Sequence, residues 1–143
     1  LRASLKKQKK HQYKLGMQEK ILVVDDEREI VNALRIYLES DNYKVLEAYT
    51  GDAAIRTLRR EVPDLILLDL MLPDITGYEI CCRIKNDPLT RSIPIIMLTG
   101  VGETGRIAGL ELGANDYITK PFDLHELKTK IRNVLKKKFD GLN

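Results

Sequence analysis

Leu65-Ile66-Leu67-Leu68-Asp69 is an unbroken apolar run that stops on a carboxylate. Being apolar at every position, it suits a strand covered on both faces, the condition of a parallel sheet between two helical layers. Outward from it the same design recurs. Ile21-Leu22-Val23-Val24 runs into Asp25-Asp26, Ile95-Ile96-Met97-Leu98 into Thr99, and Tyr117-Ile118-Thr119 into Lys120. The pattern predicts strands at 20–24, 43–48, 64–69, 94–98 and 115–119. Between them Ile30, Leu34 and Leu38 recur at helical spacing, as do Leu124, Leu127, Ile131 and Leu135, with a smaller face of Ala54, Ile55 and Leu58. Turn residues punctuate the segments at Asp41-Asn42, Pro63-Asp64, Pro73-Asp74, Asn86-Asp87-Pro88 and Gly113-Ala114-Asn115-Asp116.

Five β/α units with right-handed crossovers make a doubly wound sheet, whose ligands bind beyond the carboxyl ends of the strands. All strands of such a sheet point the same way, so Asp25, Asp26, Asp69, Thr99 and Lys120 are expected on one rim. Carboxylates, a hydroxyl and an ammonium together suit a divalent metal and a phosphoryl group. Two carboxylates ~5 Å apart at an effective dielectric of ~20 repel by about 3 kcal/mol. Mg²⁺ relieves that repulsion, since it takes a few carboxylates plus water and phosphate oxygens.

The bulk numbers agree. At 143 residues, with 43% hydrophobic and 31% charged content, the chain suits one globular domain. No apolar run approaches the ~20 residues of a membrane span, and the first residues lack a signal peptide's apolar stretch. The two cysteines, Cys81 and Cys82, are adjacent, which excludes a disulfide framework and suits a reducing cytoplasm. The net charge of +3 divides unevenly: residues 1–16 hold Arg2, Lys6, Lys7, Lys9, Lys10 and Lys14 and no acid. The remainder is mildly acidic, so the overall charge is no sign that the domain itself binds nucleic acid. Leu1, Leu5, Gln8, Gln12 and Leu15 trace a short heptad seam. Residues 1–16 therefore read as a basic N-terminal linker helix or an expression remnant, with Met17 as the native start and 17–143 as the domain.

The motifs ILVVDDE at 21–27, LILLDLMLPDITG at 65–77, IIMLTG at 95–100 and DYITKPF at 116–122 resemble, in joint order and spacing, the receiver domain of two-component response regulators, the chemotaxis-type receiver fold. The resemblance covers about 18–138. It implies a flavodoxin-like (βα)₅ three-layer α/β sandwich with a five-strand parallel sheet in order 2-1-3-4-5. By the same resemblance Asp69 is the phosphoacceptor, ionised at neutral pH and so a competent nucleophile. Asp26, Asp69 and the backbone carbonyl of Met71 ligate Mg²⁺, with Asp25 acting through a bound water. Lys120, before a cis Pro121, contacts a phosphoryl oxygen. Thr99 and Tyr117 form the switch, the tyrosine moving inward as the threonine moves. Met71 and Val101 border the path of the attacking water and supply no group to orient it, while Gly100 leaves the site open. The implied partners are a histidine kinase or phosphotransfer protein upstream and an effector domain or protein on the face of the fourth helix, fifth strand and fifth helix, with homodimerisation on that face also implied. The implied activity is a switch with slow self-dephosphorylation, not a metabolic enzyme.

Other readings rank behind this one. Gly100-Val101-Gly102-Glu103-Thr104-Gly105 fits the dinucleotide fingerprint but follows the fourth strand, and the next strand ends on Lys120, not on a ribose-binding acid. It reads as the loop after the fourth strand. His11 and His125 read as solvated surface, Cys81 as core. An Asp-nucleophile phosphohydrolase of the haloacid-dehalogenase type needs a second acid two residues after the nucleophile, where this chain has Met71. A pseudo-receiver would lack the acids or the lysine. The output is open: a stand-alone regulator, or a receiver excised from a DNA-binding, cyclase or hybrid-kinase protein.

Overall fold

The computed structural model describes residues 18–100 and 109–140, with side chains to residue 137. The expectations for residues 1–17, for Val101 and for the rest of the 101–108 loop lie outside the described residues.

Five parallel strands, β1 (Lys20–Val24), β2 (Lys44–Ala48), β3 (Leu65–Leu68), β4 (Ile95–Thr99) and β5 (Asp116–Thr119), form one sheet in the order β2-β1-β3-β4-β5. The helices are α1 (Arg28–Ser40), α2 (Gly51–Arg60), α3 (Gly77–Asn86), the helical residues 109–111 as α4, and α5 (Leu124–Asp140). Fold class and strand order are those expected, and the strand bounds agree to within a residue. The one-residue trimming has a local cause. Asp64 and Asn115, expected inside strands, instead use their side chains to accept the N–H groups of Lys20 and Ile95, finishing the ladder from outside it.

Strand alternation sorts the core into two layers. Leu22, Val24, Ile66, Leu68, Ile95, Met97 and Tyr117 pack on one face with Ala54, Leu58, Ile80, Cys81 and Ile84 of α2 and α3. Ile21, Val23, Leu65, Leu67, Ile96, Leu98 and Ile118 pack on the other with Val31, Leu34 and Leu38 of α1 and Leu127, Ile131 and Leu135 of α5. Every residue of β3 is fully buried, and burying each such leucine or isoleucine contributes about 1.5–3 kcal/mol. On α1 the seam is shifted slightly, with Val31 fully buried and Ile30 only partly so.

The helix ends follow from single residues. Thr50 and Thr76 accept from the N–H groups of Ala53 and Glu79 as N-caps of α2 and α3. Asn42 at φ 67° and Gly113 at φ 106° take the left-handed turn that closes α1 and α4. These caps fix where each helix leaves the rim of the sheet, and so where the loops of the site lie.

Candidate phosphoryl site

The rim is built by carrying the ladders one residue past the strands. The N–H of Asp25 bonds the carbonyl of Ala48 at 3.1 Å, that of Asp69 the carbonyl of Val24 at 2.9 Å, and that of Lys120 the carbonyl of Thr99 at 2.9 Å. Asp25 and Asp69 thereby stand side by side above β1 and β3. Each aspartate also closes a small turn on itself: Asp25 Oδ1 accepts from the N–H of Glu27 at 2.9 Å, and Asp69 Oδ1 from the N–H of Met71 at 3.0 Å. With both Oδ1 atoms tied to backbone, both Oδ2 atoms are left facing the same space.

Lys120 fills that space. It leaves β5, crosses over β4 and places Nζ 2.6 Å from Asp25 Oδ2, 2.8 Å from Asp69 Oδ2 and 3.0 Å from Glu27 Oε1. The two aspartates are almost fully buried, whereas the Glu27 side chain is 58% exposed. Burial pushes the Asp25 carboxyl above its ordinary value, partly offset by Lys120 and the Glu27 N–H and reinforced by the charge of Asp69. For Lys120 burial acts downward, but the bonds to Asp25, Asp69 and Glu27 outweigh it and hold the ammonium well above the usual lysine range. The group is a fixed cation at any physiological pH.

Three carboxylate oxygens, from Asp25, Glu27 and Asp69, lie within 4.8 Å of one another. They are hard oxygen donors of the kind and number that Mg²⁺ takes, so the residues present fit that ion. Asp26 is exposed and does not belong to this convergent set. Glu27 does, and sequence reasoning passed over it although it is quoted in ILVVDDE. The signal was the aspartate two residues earlier, whose turn brings residue 27 back toward the rim.

Thr99 is fully buried at the end of β4, the strand between those that lead to Asp69 and Lys120, and Tyr117 on β5 is 5% exposed, packed in the same core layer as Met97. The Lys120–Pro121 bond is cis. A cleft of about 600 Å³ opens over the site, lined by Glu27, Ile30, Asp69, Met71, Thr99, Gly100, Lys120 and Pro121. A side chain at Gly100 would meet no described atom, while Met71 is 67% exposed at the cleft's edge.

The loop after β3 is held tightly. Gly77 lies so close that a Cβ there would collide with the carbonyl oxygen of Asp69 and come 2.7 Å from Leu70 Cα. Asp74 accepts from the N–H groups of Gly51 and Asp52, both at 2.8 Å, joining the loop to the start of α2. Those backbone bonds hold its carboxyl below the usual range. The sequence PDITG is therefore scaffolding for the acid that precedes it.

Known proteins match this arrangement. The model of the response regulator receiver domain matches residues 21–132. The phosphate regulon transcriptional regulatory protein PhoB of Pseudomonas aeruginosa is 48% identical over 122 residues, 85% of this chain and 53% of that protein. The alkaline phosphatase synthesis transcriptional regulatory protein PhoP of Bacillus subtilis is 43% identical over 122 residues, 85% of this chain and 50% of that protein. The chain therefore spans about half the length of the curated relatives it matches. A solved CheY-like receiver domain protein from Methanospirillum hungatei superposes with a TM-score of 0.82 at 29% identity, over 87% of this chain and 99% of that one.

Proposed function

The chain belongs to the response regulator receiver family, and on that footing we propose that Asp69 accepts a phosphoryl group from a histidine kinase or phosphotransfer protein. Phosphorylation by a histidine kinase is the general function of the family, a signalling role, and its members bind Mg²⁺ at an acidic pocket. The observation that carries the assignment to Asp69 is the reach of Lys120 across β4 to two buried aspartates.

In this reading Asp69 supplies the carboxylate oxygen that attacks phosphorus. Asp26 and the carbonyl of Met71 would hold the metal with Asp69, and Asp25 would act through water, once the Asp26 carboxylate, which lies outside the Asp25-Glu27-Asp69 set in the metal-free protein, turns onto the rim. Bound Mg²⁺ would neutralise phosphoryl charge. Lys120, already within 2.8 Å of Asp69, trades a carboxylate for a phosphoryl oxygen. Thr99 donates its hydroxyl to the same group. The added charge of about −1.5 to −2 then shifts the equilibrium of the α4-β5-α5 face, with Thr99 and Tyr117 as the switch. The domain runs over 17–143, hydrolyses its own phosphate slowly and works in the cytoplasm. The length and names of the relatives support a DNA-binding output joined to this domain, which itself contacts no nucleic acid. Among the described residues no helix is long and apolar enough to cross a membrane.

The test is labelling with acetyl phosphate and Mg²⁺. One acid-stable, base-labile phosphate is expected on the parent chain and none on Asp69→Asn, whose amide is not a nucleophile. Equal labelling of that variant refutes the assignment.

A further inference from the structure

Glu27 is the N-cap residue of α1, yet its side chain makes no cap hydrogen bond. Its carboxylate turns back instead, and among the described residues Lys120 is its one partner. Asp25 and Asp69 are each fixed twice, by a backbone N–H and by the ammonium, whereas Glu27 is held once and is largely exposed. All three carboxylates compete for one ammonium, and a phosphoryl oxygen arriving at Asp69 must displace one of them. The one held least is Glu27.

Building on the receiver reading above, we propose that Glu27 is a specificity-determining residue: an internal anion at the phosphoryl position that favours donors of low net negative charge, with an N–P bond, over acyl phosphates. Phosphoramidate belongs to the first class, as does phosphohistidine with its ring protonated. In both reactions an Asp69 oxygen supplies the electron pair for the new O–P bond. With phosphoramidate, a monoanionic zwitterion, the N–P bond breaks and its pair leaves on ammonia, which keeps the protons already on nitrogen. With acetyl phosphate, a dianion, the O–P bond to the acyl group breaks and acetate leaves with the pair. Glu27 repels the dianion more strongly, so its charge sets the ratio of the two rates. A receiver built this way listens to its kinase and resists metabolic acyl phosphates.

The experiment compares phosphorylation rates from both donors, at saturating Mg²⁺ and low ionic strength, for the parent, Glu27→Gln and Glu27→Asp. Glu27→Gln should raise the acetyl phosphate rate relative to the phosphoramidate rate by about three- to fivefold, a size suited to a mostly solvated charge. Glu27→Asp, which keeps the charge, should stay near the parent's ratio, and added salt should shrink the difference. Binding of inorganic phosphate with Mg²⁺, read from the amide shifts of Met71 and Gly100, should tighten in Glu27→Gln. A ratio that does not move, or moves equally in Glu27→Asp, overturns the inference while leaving Asp69 as acceptor. Failure of the parent chain to be labelled by either donor overturns the receiver reading and this inference with it.

Discussion

Two half-buried lysines sit at opposite ends of the sheet. Lys120, at the carboxyl end, faces the carboxylates of Asp25, Asp69 and Glu27. Lys85, near the amino end, donates to the backbone carbonyls of Arg91 at 3.2 Å and Ile93 at 2.9 Å, fastening the loop between α3 and β4. Burial acts downward on both ammoniums. It prevails at Lys85, which is held below the usual lysine range, and is overruled at Lys120, which is held above it. Neutral dipoles can anchor a loop, but only full charges can keep a cation stable out of water. The carboxyl-end rim therefore carries concentrated charge, while the amino-end loop is fastened by neutral dipoles. Partner charge, not burial, separates the two.

The largest expected effect tests that separation directly. Lys120→Met leaves two buried carboxylates without a cation, and the Mg²⁺-free protein should lose about 3–5 kcal/mol of stability at pH 7 in urea unfolding. Added Mg²⁺ should restore part of it, because the ion replaces the missing charge. A loss below about 1 kcal/mol would place these acids in effective contact with bulk water and erase the distinction.

Next comes the scaffold under Asp69. Gly77→Ala drives a methyl into the carbonyl of Asp69 and should cost about 1–3 kcal/mol, as overpacking of a tight contact does. Labelling should slow with it, because the backbone that carries Asp69, the proposed nucleophile, must shift. Gly100→Ala meets open space among the described residues and serves as the control, with stability near that of the parent.

How much of this was legible in the sequence divides along the same line. The strands and the rim places of Asp25, Asp69, Thr99 and Lys120 could be read because unbroken apolar runs ending in polar groups encode both burial and direction, while the order of the strands rested on the resemblance of the motifs. Asp26 and Glu27 could not be sorted that way. Which of three successive acids turns inward depends on the Asp25 Oδ1 bond to the Glu27 N–H, a turn that the sequence DDE does not distinguish from its alternatives. Lys85 was invisible for a related reason. Its partners are main-chain carbonyls, which every residue has, so no side-chain pattern announces them.

Asp25→Asn should have a smaller effect, and of opposite sign. The folded carboxyl titrates above its ordinary 3.8, so its ionised form is disfavoured by folding. Between those two values the folded state binds more proton than the unfolded, and stability falls as pH rises. The amide variant lacks this loss. Without Mg²⁺ it should therefore be more stable than the parent at pH 7, by less than Gly77→Ala costs, with the advantage fading as pH drops toward 3.8. Asp26→Ala, at an exposed acid, should change stability little.

The smallest effect separates the two lysines by sign. Lys85→Met loses two hydrogen bonds but also an unfavourably buried charge, so about 1 kcal/mol is expected at pH 7. Its pH dependence is the sharper readout. Because the folded Lys85 releases its proton below the ordinary 10.5, the unfolded chain binds more proton between those values, and the parent gains stability as pH climbs toward 10.5. The stability lost in Lys85→Met should then grow over that window. Lys120 keeps its proton past 10.5 when folded, so its contribution is complete below 10.5 and declines only above it. The loss in Lys120→Met should stay flat from pH 7 to 10. Urea midpoints at unit pH intervals measure both differences, and the tyrosines common to all variants cancel. A rising curve for Lys85 beside a flat one for Lys120 would show partner charge governing each ammonium. Parallel curves would mean that burial alone does.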